Sequence, residues 1–284
     1  MALLIGDIGG SSSRWAVIDR DRQEVAAQAL PGFNPSTGDP AALQHALAKL
    51  AVGTKVDGKP LEVVAYGAGC GHRQRAQRMR EALEAVWPHA LVQVETDLLG
   101  AARSLYGAER GLALILGTGM NTGYYDGHQL YTPLPSLGFI LGDEGSGADI
   151  GKHLLRDALY DLVPEALRSA LFPQGADLPG ILREVHGPTG AQAYVASFTA
   201  TLQNHLHEQY VHDLLASRFF ALSRLIAGFF SAAERAEVRA VGSVAHGFRN
   251  LLEVAMDHRG MKLTAVAKDP MPGLLQYHQG QGLR

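Results

Sequence analysis

A strand, a glycine turn and a second strand occur twice in this chain, and that repeat constrains its fold more than any other feature. In the first copy the apolar run at residues 3–6 ends in Asp7. It passes through Gly9-Gly10-Ser11-Ser12-Ser13 and resumes as Trp15-Ala16-Val17-Ile18. In the second copy residues 111–116 lead into Gly117-Thr118-Gly119 and a further run at 123–125, and Asp126-Gly127 then marks another turn. Short apolar runs joined by such turns read as β-hairpins. Their recurrence half a chain later predicts two related domains with a cleft between them. We expect residues 1–109 to form the first, with a C-terminal helix over 270–284 packed back on it, and residues 110–269 to form the second. With 284 residues and 46% hydrophobic content, two cores are within reach.

The remaining pattern is α/β. A third strand is predicted over 25–30, a loop over 31–40 and a helix over 41–50. A strand at 61–66 ends in Gly67-Ala68-Gly69-Cys70-Gly71, a helix with a basic face covers 72–87, and a strand at 91–94 leads to Asp97 at a helix N-cap position. In the second half a helix is expected over 146–160, an irregular proline-bearing stretch over 164–188, and a long helical region over 193–230 broken near residue 212. A strand at 238–241 runs into Gly242-Ser243-Val244 and a helix to residue 258; a strand at 263–267 and a short helix from Pro270 close the chain.

Composition excludes several classes of function. Charged residues are 19% of the chain and the formal net charge is −3, so no field of one sign draws it onto nucleic acid or an anionic membrane. A lone cysteine, Cys70, excludes an internal disulfide framework and a cysteine-only zinc site, and fits a reducing, cytoplasmic setting. No apolar run approaches the roughly 20 residues that span a bilayer. The start lacks a basic n-region and meets Asp7 early, unlike a signal peptide.

The glycine turns carry the chemistry. A strand ending in Asp-x-Gly-Gly-Ser-Ser presents successive backbone N–H groups around a concavity, and glycine lets a phosphate approach closely. Ser11 and Ser12 add hydroxyl donors, whereas Asp7 is acidic and suits a hydrated Mg²⁺ that bridges to phosphate oxygens. Read alone, the turn is equally an ordinary glycine-rich hairpin. A second turn, Leu116-Gly117-Thr118-Gly119-Met120-Asn121, and a third at a strand-to-helix junction, Val241-Gly242-Ser243-Val244-Ala245, favour nucleotide binding.

Other signals carry less. Residues 147–153 have three residues between glycines where a P-loop has four. His207 and His212 are five apart, so on a helix they diverge by about 140° instead of sharing a metal. Arg73, Arg75, Arg78 and Arg80 read as a solvated helix face, and Cys70 as a buried, inert thiol.

The segments DIGGSSSR, LGTGMN and VGSVAHGF resemble the two phosphate loops and the adenosine loop of the sugar kinase, heat-shock ATPase and actin superfamily. TDLLGA at 96–101 and SLGFILGDEGSG at 136–147 are similar to segments of the BadF/BadG/BcrA/BcrD group, and within it of N-acetylglucosamine kinases. The resemblance implies an α/β fold of two ribonuclease H-like (actin-like ATPase) domains around a cleft. It implies ATP and Mg²⁺ as cofactors and an amino sugar as substrate, phosphorylated at its 6-position when that sugar is N-acetylglucosamine. Residue by residue, Asp97 matches the catalytic base that accepts the sugar hydroxyl's proton. Asn34, Asn121 and Asp143 match sugar contacts. Gly9, Gly10, Ser11, Ser12, Gly117, Thr118 and Gly119 would hold phosphates, Gly242 and Ser243 would lie by the adenosine, and Asp7 would serve the metal. A homodimer is a further expectation from the resemblance.

The chain departs from that pattern at three places. Ser11 stands where Thr is usual, which keeps the hydroxyl. Leu137 and Phe139 stand where animal N-acetylglucosamine kinases carry Trp and His, which leaves glucosamine, N-acetylmuramic acid and glucose open as substrates. An ATPase that activates a dehydratase through a shared iron–sulfur cluster is a rival of the same fold, but it needs two cysteines from each subunit. A non-catalytic sugar or nucleotide sensor would have no use for Asp97.

Overall fold

The computed structural model describes residues 2–10, 12–19, 24–33, 35, 38–53, 62–187 and 189–280. Its first half runs β1 (Leu3–Ile8), β2 (Ser12–Ile18), β3 (Glu24–Pro31), α1 (Pro40–Gly53), β4 (Glu62–Gly67), α2 (Arg73–Val86), β5 (Leu91–Thr96) and α3 (Asp97–Tyr106). The second begins β6 (Gly111–Leu116), β7 (Met120–Tyr125), β8 (Leu130–Tyr131), α4 (Gly138–Leu141), α5 (Gly147–Leu159), α6 (Glu165–Leu171), α7 (Leu178–Val185) and α8 (Ala191–Ser197). A 3₁₀ stretch, Phe198–His205, precedes α9 (Gln209–Phe229), β9 (Glu237–Val241), α10 (Ser243–Gly247), α11 (Arg249–Asp257), β10 (Lys262–Ala267) and α12 (Met271–Gly280).

Among the described residues the strands form two sheets of five, ordered β3-β2-β1-β4-β5 and β8-β7-β6-β9-β10. Counted from its own first strand, each sheet has one order: third, second, first, fourth, fifth. In both, the first three strands pair antiparallel and the last two join in parallel. This is the ribonuclease H-like arrangement of actin-like ATPases, present twice. The two central strands, β1 and β6, even share one burial pattern along their length. They read LLIGDI and GLALIL without alternation, because both faces of each sheet are covered.

Two compact units result. One comprises Met1–Glu109, Gly127–Gln129 and Pro270–Arg284; the other comprises Arg110–Asp126 and Leu130–Asp269. The first unit has a core on each face of its sheet. Leu4, Trp15, Leu47, Leu83 and Trp87 pack on the side of α1 and α2. Leu3, Ile5, Val64 and Tyr66 pack against Met271 and Leu274 of α12 on the other side. In the second unit Leu112, Leu114, Ile150, Phe219 and Leu252 belong to one continuous core.

The helical regions differ from expectation at two places. Residues 164–188 are not irregular: they hold α6 and α7. Pro164 is the N-cap of α6, Pro179 lies in the first turn of α7, and Asp177 caps that helix by accepting from the Gly180 N–H at 3.1 Å. Proline is tolerated where no intrahelical donor is required, so here it opens helices and does not break them. The long helical region breaks at 206–208 and not near residue 212, because the 3₁₀ stretch ends at His205 and α9 starts afresh at Gln209. His207 therefore lies outside α9 and His212 within it.

Candidate functional site

In the first unit the β1–β2 turn is closed by the Gly9 N–H donating to the Ser12 carbonyl at 2.9 Å. The Gly9 carbonyl accepts from the Phe33 N–H at 3.0 Å, which ties the turn to the segment after β3. Gly10 and Ser12 are exposed, and a Cβ added at Gly10 would meet nothing within 4 Å. Backbone at this turn therefore faces open space, as a phosphate loop requires. Asp7 is half-buried near the end of β1, with hard carboxylate oxygens of the kind Mg²⁺ takes. Below the turn, Ser13 is buried; its hydroxyl donates to the Pro31 carbonyl at 2.9 Å and accepts from Trp15 Nε1 at 3.0 Å. Ser11 and Asn34 lie outside the described residues.

Asp97 is the first residue of α3 and not its cap: Thr96 is the N-cap, and its hydroxyl accepts from the Leu99 N–H at 3.1 Å. The difference is one residue and it matters chemically. With capping done by Thr96, the Asp97 carboxylate accepts only from the helix's first N–H groups, notably Leu98 at 2.9 Å. Those bonds favour the charged form, but desolvation outweighs them and pushes the Asp97 pKa up to about 6. The turn after β4 adjoins this helix start. A Cβ at Gly71 would lie 3.8 Å from Thr96 Cγ2, and the Cys70 thiol senses the Asp97 charge. Burial, then that charge, drives the Cys70 pKa to about 11, which leaves an inert thiol.

Three segments of the second unit converge. The β6–β7 turn is closed by the Gly117 N–H donating to the Gly119 carbonyl at 3.0 Å. The Gly117 and Thr118 carbonyls accept from the Gly147 and Ala148 N–H groups of α5 at 2.8 and 3.0 Å. Gly242, at φ +133°, lies so close beneath that an added Cβ would sit 2.3 Å from the Leu116 carbonyl oxygen. Only glycine fits there. The turn at 117–119 is thus held between α5 and the β9–α10 junction, with Thr118 and Ser243 exposed.

The Gly142–Gly147 segment brings in Asp143. That residue is buried and takes the left-handed φ of +61°, which Asp tolerates better than most side chains. Its Oδ2 accepts from Gln192 Nε2 at 3.0 Å, and a Cβ on Gly119 would meet both atoms. Burial raises its pKa, Glu144 and Asp149 add to the rise, and a bond from the Met120 N–H opposes it. Asn121 and Asp143 line a pocket of about 90 Å³ whose other walls are largely apolar: Leu134, Leu137, Leu225 and Phe229. Beneath it, Asp149 accepts from the Gly145 N–H and from Arg218 Nε, each at 2.9 Å, and so ties the segment to α9.

The first unit thus holds Asp7, Gly9, Gly10, Ser12 and Asp97, and the second holds Gly117, Thr118, Gly119, Asn121, Asp143, Gly242 and Ser243. Three residues that order this region, Gln192, Asp149 and Arg218, carry no sequence signal for it. Gln192 lies 49 residues from Asp143 and Arg218 69 from Asp149, so no local spacing links them.

No protein-family model matches the chain, and no curated protein matches it. Among solved structures, the chain is similar to a provisionally named N-acetylglucosamine kinase of Porphyromonas gingivalis. The two share 30% identity at a TM-score of 0.86, over 99% of this chain and 100% of that one. It is also similar to a provisionally named N-acetylglucosamine kinase of Chromobacterium violaceum, at 19% identity and TM-score 0.73 over 97% and 98% of the two chains. A ROK family glucokinase of Streptomyces griseus, solved with glucose and AMPPNP, matches at 15% identity and TM-score 0.61 over 98% of each chain. The last two are likenesses of fold.

Proposed function

This chain belongs to the N-acetylglucosamine kinase-like family of the sugar kinase, heat-shock ATPase and actin superfamily, and from that membership we propose that it is an ATP-dependent sugar kinase. The substrate we propose is N-acetylglucosamine, phosphorylated at the 6-hydroxyl. The observation that carries the reading is Asp97: a carboxylate at the head of a helix with its pKa raised to about 6 is suited to take a proton near neutral pH.

In this reading Asp97 accepts the proton of the attacking hydroxyl while that oxygen bonds to the γ-phosphorus. The bond from the γ-phosphorus to its bridging oxygen breaks, and ADP leaves. The turns at Gly9–Gly10 and Gly117–Gly119 hold phosphate oxygens through backbone N–H groups, with Ser11, Ser12 and Thr118 adding hydroxyls. Gly242 and Ser243 lie beside the adenosine. Asp7 would hold a hydrated Mg²⁺, which when bound neutralises phosphate charge. Asn121, Asp143 and Asn34 orient sugar hydroxyls, Asp143 being itself oriented by Gln192. The apolar walls of the pocket beside Asn121 suit the methyl of an acetamido group better than a bare hydroxyl or ammonium.

Steady-state ADP release with and without N-acetylglucosamine tests the assignment. ADP formation that depends on the sugar, matched by sugar phosphate, is the expected result. Equal hydrolysis without sugar points to an ATPase activator, and no turnover with any sugar to a sensor. Glucosamine, N-acetylmuramic acid and glucose in the same assay test the choice of substrate.

A further inference from the structure

The end of β4 carries a buried tyrosine that the proposed chemistry does not use. Tyr66 is fully buried on the face of the first sheet that α3 and α12 cover. Its ring is the surface on which α3 rests: a Cβ added at Gly100 would sit 2.7 Å from Tyr66 Cγ, so glycine alone permits this approach. One turn further along, Ser104 meets α12. Its hydroxyl donates to the Pro270 carbonyl at 2.8 Å, and a Cβ at Gly273 would fall 2.2 Å from the Ser104 carbonyl oxygen. Helix α3 is therefore fixed in depth at two points where only glycine fits.

The Tyr66 hydroxyl supplies the lateral constraint. It accepts from Arg103 Nη1 of α3 at 3.0 Å and lies 2.9 Å from His278 Nε2 of α12. Burial, reinforced by the Arg103 charge, lowers the His278 pKa to about 4, so its ring is neutral. The hydroxyl thus accepts from Arg103 and shares a hydrogen bond with the neutral His278 ring, which takes the hydroxyl's single proton when its own proton sits on Nδ1. The Arg103 guanidinium also lies over the Tyr66 and Tyr277 rings, at 5.8 and 5.2 Å. β4, α3 and α12 thus share one polar junction, and α3 is the helix whose first residue is Asp97.

We propose that Tyr66, Arg103 and His278 are positioning residues that hold α3 so that Asp97 meets the attacking hydroxyl. This rests on the reading of Asp97 as the base. Tyr66 is paired through its backbone with Asp7 of β1, a pairing that loss of the hydroxyl leaves in place, so that loss should act on the transfer step more than on affinity. Misplacement of a catalytic group by about 1 Å costs on the order of a hundredfold in rate.

The test compares Tyr66→Phe, His278→Leu and His278→Gln by single-turnover phosphate transfer, with KM values and thermal unfolding measured on each. Tyr66→Phe keeps the ring under Gly100 and loses only the hydroxyl. It and His278→Leu should slow transfer about ten- to a hundredfold, with KM for sugar and ATP changed by less than about twofold. His278→Gln keeps an acceptor for the tyrosine proton and should restore most of the rate. Transfer at the native rate in the first two variants overturns the proposal, as does a loss in KM alone or a His278→Gln variant no better than His278→Leu. Asp97→Asn, run alongside, separates the two ideas. If it transfers phosphate normally the base is misassigned, whereas if it is inactive and Tyr66→Phe is not, only the positioning role fails.

Discussion

At position 97 one carboxyl serves two opposed demands. As a base it must be charged near neutral pH, yet its surroundings hold its pKa at about 6 against an ordinary 3.8. Catalysis should accordingly fall as pH drops below about 6, with kcat/KM losing one proton's dependence on the acid limb. Stability runs the other way. The folded chain binds this proton more tightly than the unfolded chain, so stability contributed by the protonated group is present below pH 3.8 and is lost as pH rises to about 6. Asp97→Asn should therefore lower kcat by about 10²–10⁴-fold. The same variant should melt at a higher temperature than the native protein at pH 7.5, a difference that shrinks toward pH 4. Calorimetry across pH would show the prediction wrong if the variant were the less stable at pH 7.5. Nothing in the residue type announces this pKa: the TDLLGA segment marks the position, whereas the shift comes from desolvation at the head of α3.

At the scale of an element, the glycine turns divide into two kinds. Gly10 has no positive φ and nothing within 4 Å of an added Cβ, whereas Gly242 has a φ of +133° and an added Cβ 2.3 Å from a carbonyl oxygen. Gly10→Ala should leave the melting temperature unchanged and raise KM for ATP, because the methyl occupies space meant for a phosphate. Gly242→Ala should cost about 1–3 kcal/mol from backbone strain alone, read as a lower urea midpoint at unchanged slope. The pairing of buried Asp149 with half-buried Arg218 is a second test, at the scale of the Gly142–Gly147 segment. Asp149→Ala leaves the buried Gly145 N–H unsatisfied and removes the carboxylate partner of Arg218, and should destabilise by about 1–3 kcal/mol. Both hairpins were legible in sequence because a hairpin is encoded by a few adjacent residues. Helices α6 and α7 were not, because they are short and their prolines, which signal a break when read alone, occupy the N-cap of α6 and the first turn of α7.

The whole molecule is built by duplication of one strand order, with a discontinuity at the end. Helix α12 comes from the C-terminus, yet it covers Leu3, Ile5, Ile18, Val64 and Tyr66 of the first unit. A chain truncated before residue 270 leaves this apolar face exposed. It should show selective protease sensitivity within residues 1–109 while residues 110–269, which hold the whole second sheet, persist as a protected fragment, resolved by mass spectrometry of a timed digest. Equal resistance of both units would show that α12 contributes little. Among the described residues no helix is long and apolar enough to cross a membrane.

Sequence alone determined the paired hairpins, the α/β class and the positions of the glycine turns. Each of these is written in short-range pattern: apolar runs, turn residues and breakers within a few positions of one another. Tertiary structure decided what those positions are worth. It set the pKa of Asp97, the partnership of Asp143 with Gln192, the tie of Asp149 to Arg218, and the junction of Tyr66 with a histidine 212 residues away. Desolvation and long-range hydrogen bonds depend on which surfaces meet once the sheets are packed, and no local spacing encodes that.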